Sequence, residues 1–113
     1  MAKIVISAQI DVVPAGREAA LKSAQPWIDG ALAQPDCIHY DWSADLNNPS
    51  RINVFEEWES EAALATHFAG GQYAGMLAHI GQSGLQNAVS RKYRVDAESA
   101  VYNAEGKPSP DFD

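Results

Sequence analysis

His67, Glu56 and Trp58 are the residues of this sequence best suited to chemistry on a small organic molecule. A histidine takes up a proton near neutral pH, so His67 is the candidate base, although a structural histidine bonded to backbone is the commoner case. Glu56 could also be a base if burial raised its pKa, but a neighbour such as Tyr40 would more often hydrogen-bond it. The Trp58 indole could stack on an aromatic ligand or simply pack the core.

Metal and cofactor chemistry find no support in the sequence. The three histidines, at positions 39, 67 and 79, share no metal-site spacing, and Cys37 is the only cysteine. We expect Cys37 to be an inert buried thiol. Gly70 and Gly71 follow a predicted helix rather than a strand, so they do not form a phosphate-binding loop. We therefore predict no bound metal and no cofactor.

Length and charge limit the classes of partner. The chain has 113 residues, enough for one domain. Fifteen acidic and eight basic residues give a net charge of -7, which would repel a nucleic acid or an anionic membrane surface. The first thirteen residues alternate and reach Asp11 early, so we predict neither a targeting segment nor a membrane helix. The single cysteine favours a reducing, cytoplasmic location.

The first half of the chain reads as a strand, a helix and a hairpin. Apolar residues alternate from Lys3 to Val13, as in a strand with one buried face. A helix follows Pro14-Ala15-Gly16, with a kink expected near Pro26 and an end before Pro35. Residues 37–44 and 51–58 are predicted strands, joined by a turn rich in Asn, Pro and Ser.

The second half reads as two short helices and a last strand. Ser60 is a plausible N-cap for the first helix, and Gly70-Gly71 separates it from the second. The last strand is predicted from Gln86 to Val95. The order predicts an α+β fold, a ferredoxin-like split βαβ sandwich with an antiparallel sheet. Residues 1–96 would form this domain and residues 97–113 a loose tail or arm.

The predicted sheet has one apolar and one mixed face. In the hairpin, Ile38, Tyr40 and Trp42 should share a side with Ile52, Val54 and Trp58, because a one-residue slip would place Asp41 and Ser43 there. The apolar row would collect Ile4, Ile6, Ile10, Tyr40, Val54, Trp58 and Tyr93. The mixed row would hold Val5, Ser7, His39, Asn53, Phe55 and Lys92. The mixed row could face water or a second subunit.

Residues 51–68, which end a strand in Glu-Glu-Trp and continue into a Ser-capped helix with a histidine, resemble the central signature of the antibiotic-biosynthesis mono-oxygenase family. Asp36-Cys-Ile-His-Tyr resembles its second-strand motif, although that motif normally begins with Glu and Gly, where this chain has Gln34 and Asp36. The resemblance covers roughly residues 3–95. It implies a homodimer, a dimeric α+β barrel, with a pocket between sheet and helices in each subunit. Some members oxidise phenols or quinols with dioxygen and no cofactor.

Two branches of the family differ from this chain at their functional positions. The polyketide-oxidising branch has an Asn and a Tyr where this chain has Val54 and Leu64. The haem-degrading branch has an Asn, a Trp and a His where the nearest residues are Ser7, His67 and Leu77. The substrate chemistry of neither branch carries over, and haem degradation is disfavoured.

The leading functional hypothesis is a cofactor-independent mono-oxygenase of a small phenol, quinol or related aromatic. It assigns His67 as the base, and its predicted substrate-binding residues are Tyr40, Glu56, Trp58, Phe68, Tyr73 and Met76. Trp58 and Phe68 would form walls, and Tyr73 would be a hydrogen-bond donor. The alternative is a non-catalytic dimeric module that binds a small hydrophobic ligand or only assembles, and the fold alone does not choose between them.

Overall fold

A computed structural model describes residues 2–112 and confirms the predicted α+β architecture. A four-stranded antiparallel sheet has the order β2-β3-β1-β4, with the helices packed on one face. The elements are β1 (Ile4–Val12), α1 (Arg17–Ser23), α2 (Gln25–Leu32), β2 (Cys37–Ala44), β3 (Arg51–Trp58), α3 (Glu61–Ala69), α4 (Gly71–Gly81) and β4 (Leu85–Arg94). Within residues 2–112, none of the helices has the length and apolar character to cross a membrane.

The first predicted helix is divided into α1 and α2. The break falls at Ala24, whose backbone N–H bonds to Ala20 and Leu21. Pro26 lies in the first turn of α2, where a missing N–H leaves no helical bond unmade. The expected distortion is therefore a helix boundary two residues before the proline.

The β2–β3 hairpin has the predicted bounds and nearly the predicted register. Tyr40 pairs with Glu56 and Trp42 with Val54, so these side chains share the face that the helices cover. A bulge between Cys37 and His39 changes the pattern at the start of β2, because it sets Cys37 rather than Ile38 opposite Trp58. The half-buried Ile38 lies at this bulge and has no paired residue on β3, so its place on the side of Tyr40 and Trp42 stays a prediction.

The predicted faces of β4 are reversed. Lys92 pairs with Ile6 on the helix-covered face, whereas Tyr93 pairs with Val5 on the outer face. Every residue from Leu85 to Arg94 is exposed. A strand that is buried on neither face carries no apolar alternation, so nothing in its sequence fixes the register.

A close approach between α2 and α4 is made at a glycine. The half-buried Trp27 indole lies over Gly75 and stacks on His79 with ring centroids 4.9 Å apart. A Cβ at position 75 would overlap the Trp27 Nε1 atom, which cannot move without breaking the stack. The absence of a side chain at position 75 therefore sets how closely the two helices pack.

We expect Gly75→Ala to lower the free energy of unfolding by about 1–3 kcal/mol, the usual cost of overpacking. Gly81→Ala is the matched control in the same helix, because a Cβ there has open space around it. Its gain in helix propensity should leave the protein as stable, or up to about 1 kcal/mol more stable. Urea unfolding of the three proteins measures both changes. Equal stability of the two variants would contradict this account of the α2–α4 contact.

The β2–β3 turn is fastened to the start of α1 by one side chain. The Arg17 guanidinium donates through Nη1 to the carbonyl oxygens of Asp45, Asn48 and Arg51, at 3.0, 2.8 and 3.2 Å. The Asp45 carboxylate accepts from the Asn53 side chain and from two turn amides, and these bonds lower its pKa. Arg17 of the helix and Asp45 of the turn thus both stabilise the turn conformation.

Candidate functional site

A cavity of about 180 Å³ lies between the helix-covered face of the sheet and helices α3 and α4. A dry apolar cavity of about 150 Å³ can hold benzene, so the space suits a small aromatic ring. The sheet contributes Ile6, Ala8, Ile10, Tyr40, Trp42, Val54, Glu56 and Ser90, and the helices contribute Phe68, Tyr73, Met76, Leu77 and Ile80. Its walls are mainly apolar, with a few polar groups on the strands.

Glu56 is the only carboxylate on the cavity wall among the described residues. It is 8% exposed, and its Oε1 accepts a hydrogen bond from Trp58 Nε1 at 2.9 Å. Burial raises the pKa of the Glu56 carboxyl, and the Trp58 N–H partly offsets this. No hydrogen bond from the described residues occupies Oε2. The carboxylate can therefore accept a proton from a bound molecule while Trp58 holds its other oxygen.

Two hydrogen-bond donors stand beside this carboxylate on the same sheet face. Burial, followed by the charge of Glu56, raises the pKa of the Tyr40 hydroxyl well above its usual range, so it stays protonated. The neighbouring Trp42 side chain partly offsets this rise in pKa. Trp42 Nε1 is the one buried side-chain polar atom without a hydrogen-bond partner in residues 2–112. The Tyr40 hydroxyl can donate to an oxygen atom of a ligand, whereas the Trp42 N–H is buried beneath the surface of the cavity wall.

His67 lies behind the cavity wall. It is 2% exposed, and its Nδ1 is 2.8 Å from Gln34 Oε1. An amide oxygen only accepts, so Nδ1 carries the hydrogen and Nε2 is the basic nitrogen. The centroid of the His67 ring lies 4.4 Å from the ring centroid of Trp58 and 5.6 Å from those of Tyr40 and Tyr73. Burial lowers the pKa of His67, which keeps the ring neutral.

The structure brings most of the sequence-predicted site residues together. Tyr40, Glu56, Phe68, Tyr73 and Met76 line the cavity. His67 and the fully buried Trp58 do not line it and form the layer behind it. The hydrogen bond to Glu56 comes from Trp58, whereas the sequence indicated Tyr40 as its partner.

Sequence reasoning missed two polar members of the wall. Trp42 was predicted to share a side with Tyr40 in the hairpin, so the alternation of β2 could have indicated its place on the wall. Ser90 could not have been found in this way, because the register of β4 was predicted one residue out.

The other reactive side chains are engaged elsewhere. Burial raises the pKa of the half-buried Cys37 thiol to about 11, so it stays a thiol. His79 Nε2 is 2.8 Å from the Ala20 carbonyl oxygen, and His39 Nδ1 is 3.2 Å from Glu57. In the described part of the chain, no three His, Cys, Asp or Glu side chains are grouped to hold a metal ion.

Comparison with known proteins gives the family. The chain belongs to the antibiotic biosynthesis monooxygenase family, whose model matches residues 3–78. An uncharacterised protein of Synechocystis sp. is 32% identical over 65 residues, which are 58% of this chain and 44% of that protein. The chain thus spans less than half the length of this relative.

Solved structures share the fold. A protein of Deinococcus radiodurans, named as a candidate antibiotic biosynthesis monooxygenase, superposes with a TM-score of 0.79 at 13% identity, over 88% of this chain and 99% of that one. A protein of Bacteroides thetaiotaomicron of unknown function, described as a possible oxidoreductase, gives 0.75 at 21% identity, over 83% and 98%. At these identities the likeness establishes the ferredoxin-like fold.

Proposed function

We propose that this protein is a cofactor-independent mono-oxygenase that oxidises a small phenol, quinol or related electron-rich aromatic. The observation that carries the proposal is the composition of the cavity: mainly apolar walls hold one carboxylate, Glu56, and the hydroxyl groups of Tyr40, Tyr73 and Ser90. Such a site can take a proton from a phenol, exclude water and stabilise negative charge that develops on oxygen. Membership of the family supports the same class of reaction.

The reaction balances with dioxygen as the only co-reactant. The phenol O–H proton passes to Glu56, and the phenolate transfers one electron to dioxygen. The two radicals join in a carbon–oxygen bond, which gives a ring peroxide. Loss of the ring C–H proton and cleavage of the O–O bond leave a quinone, and the departing hydroxide becomes water. The ring supplies four electrons, one oxygen atom stays in the product, and the phenol and ring protons end in water.

Glu56 is the proton acceptor in this proposal because it lies on the cavity wall. The raised pKa makes the Glu56 carboxylate a stronger base than an ordinary carboxylate, so less free energy is needed to move a proton to it from a phenol. His67 then acts as a positioning residue, since it packs on Trp58, which holds Glu56 Oε1. The sequence-based assignment of His67 as the base is the competing hypothesis, and it requires His67 Nε2 to reach the ligand.

Oxygen uptake tests the proposed function directly. A panel of dihydroxynaphthalenes and hydroquinones is measured with an oxygen electrode, with a protein-free blank for each compound and catalase present to detect released peroxide. We expect uptake above the blank, with one atom of ¹⁸O₂ in the quinone and one in water. No uptake above the blank across the panel would reject the mono-oxygenase in favour of the non-catalytic binding module.

His67→Ala separates the two assignments of the base. We expect it to lower the free energy of unfolding by about 1–3 kcal/mol, because Gln34 Oε1 loses its donor. Turnover per folded molecule should fall by much less than the roughly hundredfold loss expected when a positioned base is removed. Thermal melts and oxygen uptake on the same preparation measure both quantities. If turnover instead falls about a hundredfold with unchanged stability, His67 is the base.

We also propose that the protein is a homodimer. Among residues 2–112 no helix covers the outer face of the sheet, which carries the half-buried Val5 and the exposed Phe55. A sheet of this kind usually has one face on the core and leaves the other to water or to a partner. A symmetric contact between two outer faces would cover these side chains in both copies.

A further inference from the structure

Residues 96–112 form an ordered arm outside the body of the domain. Its turn is built by backbone bonds: Asn103 N–H donates to Lys107 O at 2.9 Å, and Ser109 N–H donates to Val101 O at 2.8 Å. The Asn103 side-chain oxygen also accepts from the amides of Glu105 and Lys107. These bonds give the arm a defined shape.

The arm leaves apolar side chains in water. Val101, Tyr102 and Phe112 are 64%, 63% and 63% exposed. Near its start, the Val95 N–H donates to Lys3 O and Glu98 forms an ion pair with Lys3, which attach the arm to β1. The Cα radius of gyration is accordingly 15.8 Å, against about 13 Å for a compact domain of similar length. The arm therefore projects from the domain with an uncovered apolar surface.

The outer face of β4 offers a complementary surface. β4 is an edge strand, and this face presents Val89, Arg91 and Tyr93. Val89 and Tyr93 are each 50% exposed. The charged residue of β4 on this face is Arg91, since Lys92 and Arg94 pair with Ile6 and Ile4 on the helix-covered side. The outer face of β4 thus combines apolar surface with one positive charge.

The arm has the opposite charge. Its acidic residues are Asp96, Glu98, Glu105 and Asp111, and its basic residue is Lys107. In its own chain the arm leaves the outer face of β4 uncovered, since Val89 and Tyr93 are each 50% exposed. Complementary charge favours the encounter of such surfaces, and burial of the apolar side chains stabilises the contact.

We propose that the arm of one copy packs on the outer face of β4 in a second copy, with Val101 and Tyr102 against Val89 and Tyr93. The acidic residues of the arm then lie near Arg91. Each copy carries both the arm and the outer face of β4, so a dimer with two-fold symmetry makes the contact twice. This inference rests on the proposed homodimer and assigns residues 96–112 as the segment that stabilises it.

Photo-crosslinking in the full chain tests where the arm lies. A benzophenone side chain replaces Tyr102, and in a control protein it replaces Leu46, which is 98% exposed in the β2–β3 turn. We expect a covalent dimer from position 102, with the crosslink mapped by mass spectrometry to residues 85–94 of the other copy, and little dimer from position 46. A crosslink within one chain, a crosslink to another surface, or equal dimer yields from the two positions would overturn the proposal.

Point substitutions test whether the arm contributes to the strength of the dimer. Val101→Ser combined with Tyr102→Ser should raise the dissociation constant at least tenfold in sedimentation measurements, with the circular dichroism spectrum unchanged. Leu46→Ser removes an apolar side chain that is still more exposed and should leave the constant unchanged. A dimer unaffected by the double substitution would overturn the arm proposal alone. A wild-type protein that is monomeric throughout the micromolar range would overturn both this proposal and the homodimer.

Discussion

Glu56→Gln should lower the turnover of the best substrate in the oxygen-uptake panel by about a hundredfold or more, the usual scale for the loss of a positioned base. The amide oxygen can still accept the Trp58 N–H, so the substitution removes the proton acceptor and keeps the local packing. Oxygen uptake at saturating substrate measures the change in kcat. Thermal melts establish that the variant remains folded.

The neighbouring carboxylate provides a matched control for this substitution. Glu57 pairs with Val5 on the outer face of the sheet, away from the cavity. Glu57→Gln should leave kcat within about twofold of the wild type, because successive side chains of a strand point to opposite faces and Glu57 cannot reach the cavity. If Glu56→Gln retains wild-type turnover, Glu56 is not the base.

Glu56→Gln should differ from the wild type in the pH dependence of its stability. The folded protein holds the Glu56 proton more tightly than the unfolded chain does, since burial raises its pKa above the ordinary 4.5. The contribution of Glu56 to stability is therefore greatest below pH 4.5 and falls as the pH rises through the raised pKa. Glu56→Gln should lack this decline, and wild-type kcat should rise over the same range as the carboxylate forms.

Trp58→Ala should lower the free energy of unfolding by about 3–5 kcal/mol, as expected when a large aromatic side chain is removed from a packed interior. Trp58 is 0% exposed and packs on His67 with ring centroids 4.4 Å apart. Its removal leaves a void beneath the cavity and takes the donor from Glu56. Urea unfolding followed by circular dichroism measures the loss. A change below about 1 kcal/mol would contradict the role of Trp58 as the centre of the core.

Trp58→Phe distinguishes the indole N–H from the bulk of the ring. It keeps much of the packing and should cost about 1–3 kcal/mol, mainly because a buried carboxylate oxygen loses its hydrogen bond. Since the Trp58 bond lowers the pKa of Glu56, its loss should raise that pKa further. The pH at which kcat reaches half its plateau should therefore move upward. An unchanged pH profile would show that the Trp58 bond does not tune the carboxylate.

The parts of the fold that could be predicted are those in which local chemistry and burial agree. The alternation of β1 follows its buried face, and both strands of the hairpin have the predicted bounds. Ser60 caps α3 as expected, since its Oγ accepts from the Ala63 N–H at 3.1 Å. At such positions a pattern a few residues long records directly which side meets the core or where a helix begins.

The errors arose where the determining contact is distant in sequence. The bulge after Cys37 depends on pairing with β3, and the register of β4 depends on pairing with β1, which lies some eighty residues earlier. The candidate site shows the same limit. Residue types and the family resemblance indicated Tyr40, Glu56 and the helix residues, whereas the depth of His67 behind the wall depends on how α3 packs on the sheet.

The contact of Arg17 with the β2–β3 turn has a consequence for local opening. One guanidinium nitrogen bonds three carbonyl oxygens of that turn, so the turn cannot separate from α1 without losing all three bonds together. Short surface turns ordinarily exchange their amide hydrogens through small local fluctuations. Here the amides of the turn and those of the first helix should exchange with deuterium as one cooperative unit, which carries the protection of the helix to the far end of the hairpin.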